Sequence, residues 1–200
     1  MGVAVHEKII SLHRQLIKNP FEGLVESVPA YSSLAVFHRK KFEDVKIIIE
    51  TLLEKLSAGT EQTTNIIRLP VLYDGEDLDT VARQHQLSAD EVIRIHTSRT
   101  YRVFMIGFLP GFPYLGEVDE RIATPRKSAP RTAVAAGSVG IAGKQTGIYP
   151  QQSPGGWQLI GRTPLKIFDA SKKTPCLLCA GDSVAFYAIT LQEYNRLNEY

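Results

Sequence analysis

Apolar residues recur along this chain at two different periods, and the change from one to the other divides it. Near the N-terminus the period is helical: over 5–18, Val5, Ile9, Leu12, Leu16 and Ile17 fall on one face. Short apolar runs at 24–28 and 33–38, with Pro29 between them, predict strands. Residues 42–57 return to the helical period through Phe42, Val45, Ile49, Leu52, Leu53 and Leu56. Gly59 predicts the stop of that helix, and the small, polar stretch 58–64 predicts a linker. A strand is expected over 65–72 and a helix from about Asp77. Ser88 and Glu91 form a capping box for a helix over 89–97. Residues 101–109 read as a buried strand.

From Gly107 to Pro164 the helical period disappears. This window holds ten of the fifteen glycines and seven of the eleven prolines. Short apolar pieces at 139–142, 145–149, 157–160 and 165–168 are separated by turn signals, which argues for short strands in a closed or nearly closed β structure. The chain ends on a predicted strand, 184–189, and a helix capped by Thr190 and Glu193.

Composition narrows the function without naming it. Apolar residues make up 44% and charged residues 22% of the 200 positions, the balance of a globular chain with a buried core. A net charge of +2 with no basic run gives no case for nucleic acid. No apolar stretch is long enough for a membrane span, and the N-terminus lacks a secretory signal, so a cytoplasmic protein is expected. Five histidines show no metal spacing. Two cysteines, Cys176 and Cys179, exclude a disulfide framework. They form a C-x-x-C that is either a redox or half-zinc pair or a small apolar entry to the last strand.

The glycine-rich window carries six basic residues against three acidic ones, so it is locally +3 while the rest of the chain sums to −1. Glycine backbone and arginine forks suit an anion, but turn glycines with surface arginines would look the same. Pro125-Arg126 and Pro130-Arg131 leave from stiff backbone, either as a prepared site or as ordinary turns. Trp157, the single tryptophan, follows a glycine pair and is either a ligand wall or a core anchor. Phe108, Phe112, Tyr114 and Tyr149 crowd the same region. His96, at the end of a predicted helix, is a proton-transfer candidate or a helix C-terminal histidine favoured by the dipole. No phosphate loop of the common kinds is present.

Gly107-Phe108-Leu109-Pro110-Gly111-Phe112-Pro113-Tyr114-Leu115-Gly116 makes the sequence recognisable. The chain resembles the family that contains the B subunit of 5-oxoprolinase, allophanate hydrolase subunit 1 and the KipI inhibitor of a sporulation histidine kinase. The match continues through Pro125-Arg126, Pro130-Arg131-Thr132, Gly137-Ser138-Val139, 145–150, 153–157 and 160–163, with Pro70-Val71-Leu72-Tyr73, Asp77-Leu78 and His96-Thr97 upstream. The resemblance implies an α+β chain: a small α/β N-terminal domain, 1–62, followed by a cyclophilin-like β-barrel domain, 63–200. Two departures stand out. The family's opening strand is expected to be missing ahead of the first helix, and Ala135 replaces a proline before Gly137.

The resemblance also implies chemistry and partners. In the oxoprolinase reading the chain works with A-type and C-type subunits on 5-oxoproline and ATP, with Mg2+ where the phosphates need it. Positive charge must then hold phosphate. Arg126, Arg131 and Arg162 are the candidate anion contacts, with Gly137, Ser138, Gly155 and Gly156 offering backbone and Gln145 a side chain. His96, Tyr149 and Arg131 are the candidate catalytic residues. In the alternative, KipI-like reading, Phe112, Tyr114 and Trp157 form a contact patch for a histidine kinase.

Overall fold

The structure, a computed structural model, describes residues 2–56 and 66–199. The predicted linker at 58–64 and the expected domain boundary therefore lie outside the described residues. The chain divides into two compact units, Met1–Thr64 and Asn65–Tyr200.

In the first unit, helices α1 (Val3–Lys18) and α2 (Phe42–Leu56) accompany an antiparallel pair of strands, β1 (Leu24–Pro29) and β2 (Leu34–His38). These are the elements that the apolar period predicts. The buried stripe of α1 is turned, however: His6, Ile10, Leu12 and Leu16 are inside, whereas Val5 and Ile17, in the first and last turns, are exposed. His13 ties α1 to β1 through a 2.9 Å hydrogen bond between its Nδ1 and Ser27 Oγ. On α2, Val45 is buried while Phe42 is exposed.

The second unit begins with β3 (Ile66–Val71), helices α3 (Leu78–Gln84) and α4 (Ala89–Thr97), β4 (Thr100–Ile106) and β5 (Pro113–Gly116). Strands β6 (Arg131–Val134), β7 (Ser138–Ala142), β8 (Gln145–Ile148), β9 (Ser153–Gly155) and β10 (Gln158–Arg162) follow. The unit ends with β11 (Ser183–Ala188) and α5 (Leu191–Asn198). Both predicted capping boxes are formed, at Ser88/Glu91 and at Thr190/Glu193. The stretch 165–168, expected as a strand, contributes only an isolated bridge from Phe168 to Cys176. Cys176 and Cys179 are not joined in a disulfide and lie in the loop that leads to β11.

Seven strands form one sheet in the order β10-β7-β8-β5-β4-β11-β3, with β6 and β9 paired separately. All neighbours are antiparallel except β11 and β3, which are parallel. Its inner side chains, among them Leu69, Val103, Leu115, Ile141, Ile148 and Ile160, are fully buried with Val81 of α3 and Val92 of α4. Strands β3 and β10 are the edges of this order. Just past β3, Leu72 exchanges both backbone hydrogen bonds with Arg162 at the end of β10, at 2.8 and 2.9 Å, so the two edges join at one point. Joining satisfies polar groups that an open edge would leave bare. It requires glycine beside it: a Cβ on Gly161 would stand 2.6 Å from the Leu72 carbonyl oxygen.

Candidate functional site

The Asn65–Tyr200 unit has a second, aromatic cluster in which Phe112, Tyr149 and Trp157 are buried with Val134, Ala142 and Leu159. Phe112 is at its centre, with the rings of Phe108, Tyr114, Tyr149 and Trp157 edge-on at centroid distances of 4.9 to 5.6 Å. Such edge contacts fix ring orientation as well as burying area. A cavity of about 370 Å³ opens beside this cluster. It is lined by Phe108, Leu109, Tyr114, Arg126, Pro130, Tyr149, Trp157 and residues 153–156.

Three local arrangements shape the cavity. The turn 107–112 is tied by Leu109 N–H to Gly107 O at 2.8 Å, Phe112 N–H to Leu109 O at 3.0 Å and Gly107 N–H to Phe112 O at 3.1 Å. It holds Phe108 at φ +67°, a conformation that a bulky residue rarely adopts, with its side chain 63% exposed at the rim. Along the floor, the Tyr149 hydroxyl lies so close to Gly155 that an added Cβ would meet it at 2.3 Å. Burial pushes the Tyr149 hydroxyl up, partly offset by the Trp157 N–H and by Arg126 and Arg131, so it stays protonated near neutral pH. On the remaining side, Pro125 is fixed by a 2.9 Å bond from Gln158 Nε2 to its carbonyl oxygen. Lys127 N–H donates to Gly156 O at 2.7 Å.

Asp77 anchors that wall from behind. It stands at the start of α3 but makes no side-chain cap. Its carboxylate, almost fully buried, instead accepts from Leu159 N–H (2.7 Å), Lys127 Nζ (2.8 Å) and Arg131 Nη2 (2.6 Å). Burial by itself would raise the Asp77 carboxyl, but the bonds from Lys127, the Leu159 N–H and Arg131 outweigh it and hold the group below the usual carboxylate range. In the sequence Asp77 reads as a helix start and as part of the Asp77-Leu78 pair that carries the resemblance; neither shows that its carboxylate is a buried anchor.

The expected site residues separate by where the fold places them. Arg126, Tyr114, Tyr149, Gly155, Gly156 and Trp157 line the one cavity. Arg131 and Arg162 are spent elsewhere. Arg131 bridges Glu76, Asp77 and the Trp157 carbonyl. Arg162 pairs with Asp74 and lies over the Tyr194 ring at 4.6 Å. The backbone donors of Gly137 and Ser138 are likewise used, Gly137 N–H by Tyr149 O and Ser138 N–H by Ala135 O, which closes the turn at Ala135. Gln145 sits at the start of β8, paired with Gly116, outside the cavity. Phe112, expected on a contact patch, is 1% exposed and lies at the centre of the cluster; Trp157, 5% exposed, shows only the edge that lines the cavity.

His96 is also interior. It is fully buried, its ring stacked on Phe186 with centroids 4.7 Å apart. Thr146 Oγ1 donates to Gly140 O at 3.0 Å, so it accepts from His96 Nε2, also at 3.0 Å. That leaves Nδ1 to accept from the Tyr73 hydroxyl at 2.7 Å. Burial lowers the imidazole to about 3, and the ring is neutral. With both nitrogens occupied inside the core, His96 does not face the cavity as a proton-transfer group.

A nucleoside triphosphate asks for several cations or N–H donors together. Among the described residues the aromatic cavity offers one uncommitted cation, Arg126. A second cavity, of about 670 Å³, has Lys166 and Lys172 on its lining, and Lys166 is paired with Asp169 at 3.1 Å. Among the described residues no three His, Cys, Asp or Glu side chains are grouped to hold a metal ion. The residues present do not by themselves fit Mg2+ and a triphosphate. Among the described residues no helix is long and apolar enough to cross a membrane.

A protein built on this curled mixed sheet, with an aromatic cavity at one arginine, has known relatives. The chain belongs to the family described as carboxyltransferase domain, subdomain C and D, which matches residues 1–178. It is 46% identical to the Bacillus subtilis protein named as the B subunit of 5-oxoprolinase, over 91% of this chain and 82% of that one. It is 47% identical to the Haemophilus influenzae protein of the same name, over 82% of this chain and 79% of that one. Among solved structures, that of TTHA0988 superposes with a TM-score of 0.86 at 37% identity, covering 94% of this chain and 38% of that one. This chain thus spans little more than a third of that longer protein.

Proposed function

We propose that this chain is the B-type subunit of an ATP-dependent 5-oxoprolinase, acting with A-type and C-type subunits to convert 5-oxoproline, ATP and water to glutamate, ADP and phosphate. Its second unit is, on this reading, a cyclophilin-like barrel following a separate small N-terminal domain. The observation that carries the proposal is the preformed cavity lined by Arg126, which among the described residues faces no carboxylate, whereas Lys127, Arg131 and Arg162, off the lining, are paired. A concave, mainly apolar site with a single oriented charge is the form of a small-molecule site rather than of a flat protein interface. The names of the relatives, with 46% and 47% identity, support the same role.

Lactam opening needs the amide oxygen turned into a leaving group, and ATP supplies that activation when bound. The side chains of this chain bind and orient: Arg126 takes a negative charge, Trp157 and Tyr114 form walls, and the protonated Tyr149 hydroxyl stays on the floor. ATP, with any Mg2+, is held by the assembly rather than by this chain alone. The KipI-like alternative loses its expected patch, because Phe112 is inside and Trp157 shows only the edge that lines the cavity.

The test is ADP release driven by 5-oxoproline, with this chain co-expressed with its A-type and C-type subunits and with this chain omitted. Turnover that needs all three establishes the role. An assembled complex without 5-oxoproline-dependent ADP release would reject the reading.

A further inference from the structure

The cavity beside Trp157 distinguishes between the two small molecules that an ATP-dependent lactam hydrolase must bind. Among the described residues Arg126 is the single cation on its lining, with the guanidinium 5.8 Å from the Trp157 ring centroid. A guanidinium matches one carboxylate with two parallel hydrogen bonds, whereas a triphosphate brings several charges that a lone arginine leaves uncompensated. Its lining is largely apolar: the Tyr114 and Trp157 rings meet edge-on, with centroids 5.9 Å apart and planes at 60°, and Phe108 covers the rim. Such a lining receives the carbon face of a ring. A volume of about 370 Å³ is at the low end for small-molecule sites.

We propose that this cavity is the site of a small ring carboxylate, with its carboxylate on Arg126 and its ring against Trp157, and that the nucleotide binds elsewhere in the assembly. The assignment rests on the subunit reading above for naming 5-oxoproline as the ring carboxylate. Arg126 is then the residue that separates 5-oxoproline from a neutral lactam of the same shape. It is itself exposed, so its replacement leaves the core alone.

Trp157 is the only tryptophan in the chain, so the intrinsic fluorescence of the full chain reports this cavity directly. The chain is titrated into the millimolar range with 5-oxoproline, with 2-pyrrolidone as the ring lacking a carboxylate, and with ADP. The expected result is a saturable change with 5-oxoproline, weakened about 10- to 100-fold both by removal of the carboxylate and by Arg126→Gln. ADP is expected to give no saturable change. Equal responses to 5-oxoproline and 2-pyrrolidone, a response to ADP alone, or no saturable response to 5-oxoproline would each overturn the assignment. The subunit reading is judged separately by turnover of the complete complex. A complex that is active, and equally active with Arg126→Gln, keeps the subunit and removes the site; an inactive complex with saturable quenching does the reverse.

Discussion

The Arg131 guanidinium lies 2.6 Å from the Asp77 carboxylate, with only 15% and 5% of the two side chains exposed. This pair, together with Lys127, pins the 125–131 loop that carries Arg126 to the start of α3 and to β10. Asp77→Asn would leave Lys127 facing a neutral amide and Arg131 with Glu76 as its carboxylate partner. Breaking a buried pair on one side costs about 3–5 kcal/mol. Because Lys127 is one-third exposed and screened, the lower part of that range is expected. Urea unfolding of the full chain checks this, and adding Arg131→Met to Asp77→Asn should restore part of the loss. An Asp77→Asn chain as stable as the natural one would mean that the pair holds nothing.

The seam between Leu72 and Arg162 predicts an effect of a single methyl group. A Cβ at position 161 would approach both the Leu72 carbonyl oxygen and Val71 Cγ1 to under 3 Å. Gly161→Ala should therefore cost about 1–3 kcal/mol through forced backbone shifts. For a chain of this size, that lowers Tm by about 2–4 °C per kcal/mol. Thermal unfolding followed by circular dichroism reads it, and an unchanged Tm would show that the joined edge does not contribute to stability.

His96 predicts a pH dependence of stability. Its folded value, about 3, is below the ordinary 6.5 because of burial. As pH falls below about 6.5 the unfolded chain takes up a proton that the folded chain refuses, so stability declines by up to about 1.4 kcal/mol per pH unit. The loss extends down toward the folded value. His13, lowered by burial and then by Arg14, adds in the same direction within the first unit. Urea stability measured from pH 7 to pH 4.5 should show this slope. His96→Gln should be less stable at pH 7, since Tyr73 and Thr146 lose ideal partners, but flatter with pH. An equal slope in both chains would remove His96 from the explanation.

Phe108 predicts an inverted order of substitutions. At φ +67° any side chain carries a backbone penalty of about 1–2 kcal/mol that glycine escapes. Phe108→Gly should therefore be more stable than Phe108→Ala by about 1 kcal/mol, the reverse of the usual order in regular structure. Chemical denaturation of the two variants decides it. Alanine equal to or better than glycine would show that the turn relaxes out of this conformation.

The features legible along the chain without tertiary contacts are local. The Ser88/Glu91 and Thr190/Glu193 boxes involve residues three apart, so the helices they start were legible without any partner. The helical period of α2 and the strands β1 and β2 were legible for the same reason, as was the crowding of glycine and aromatic residues where the cavity lies. Strands β5, β6 and β9, of three or four residues, are too short to show a period. Tertiary structure decided which charges were free. Arg126 and Arg131 each follow a proline and look alike along the chain. Only the fold brings Asp77, from the start of α3, against one of them and the Trp157 ring beneath the other. Buried charge must find a counter-charge while exposed charge need not, and the distance in sequence from Asp77 to Arg131 puts that choice beyond any local pattern.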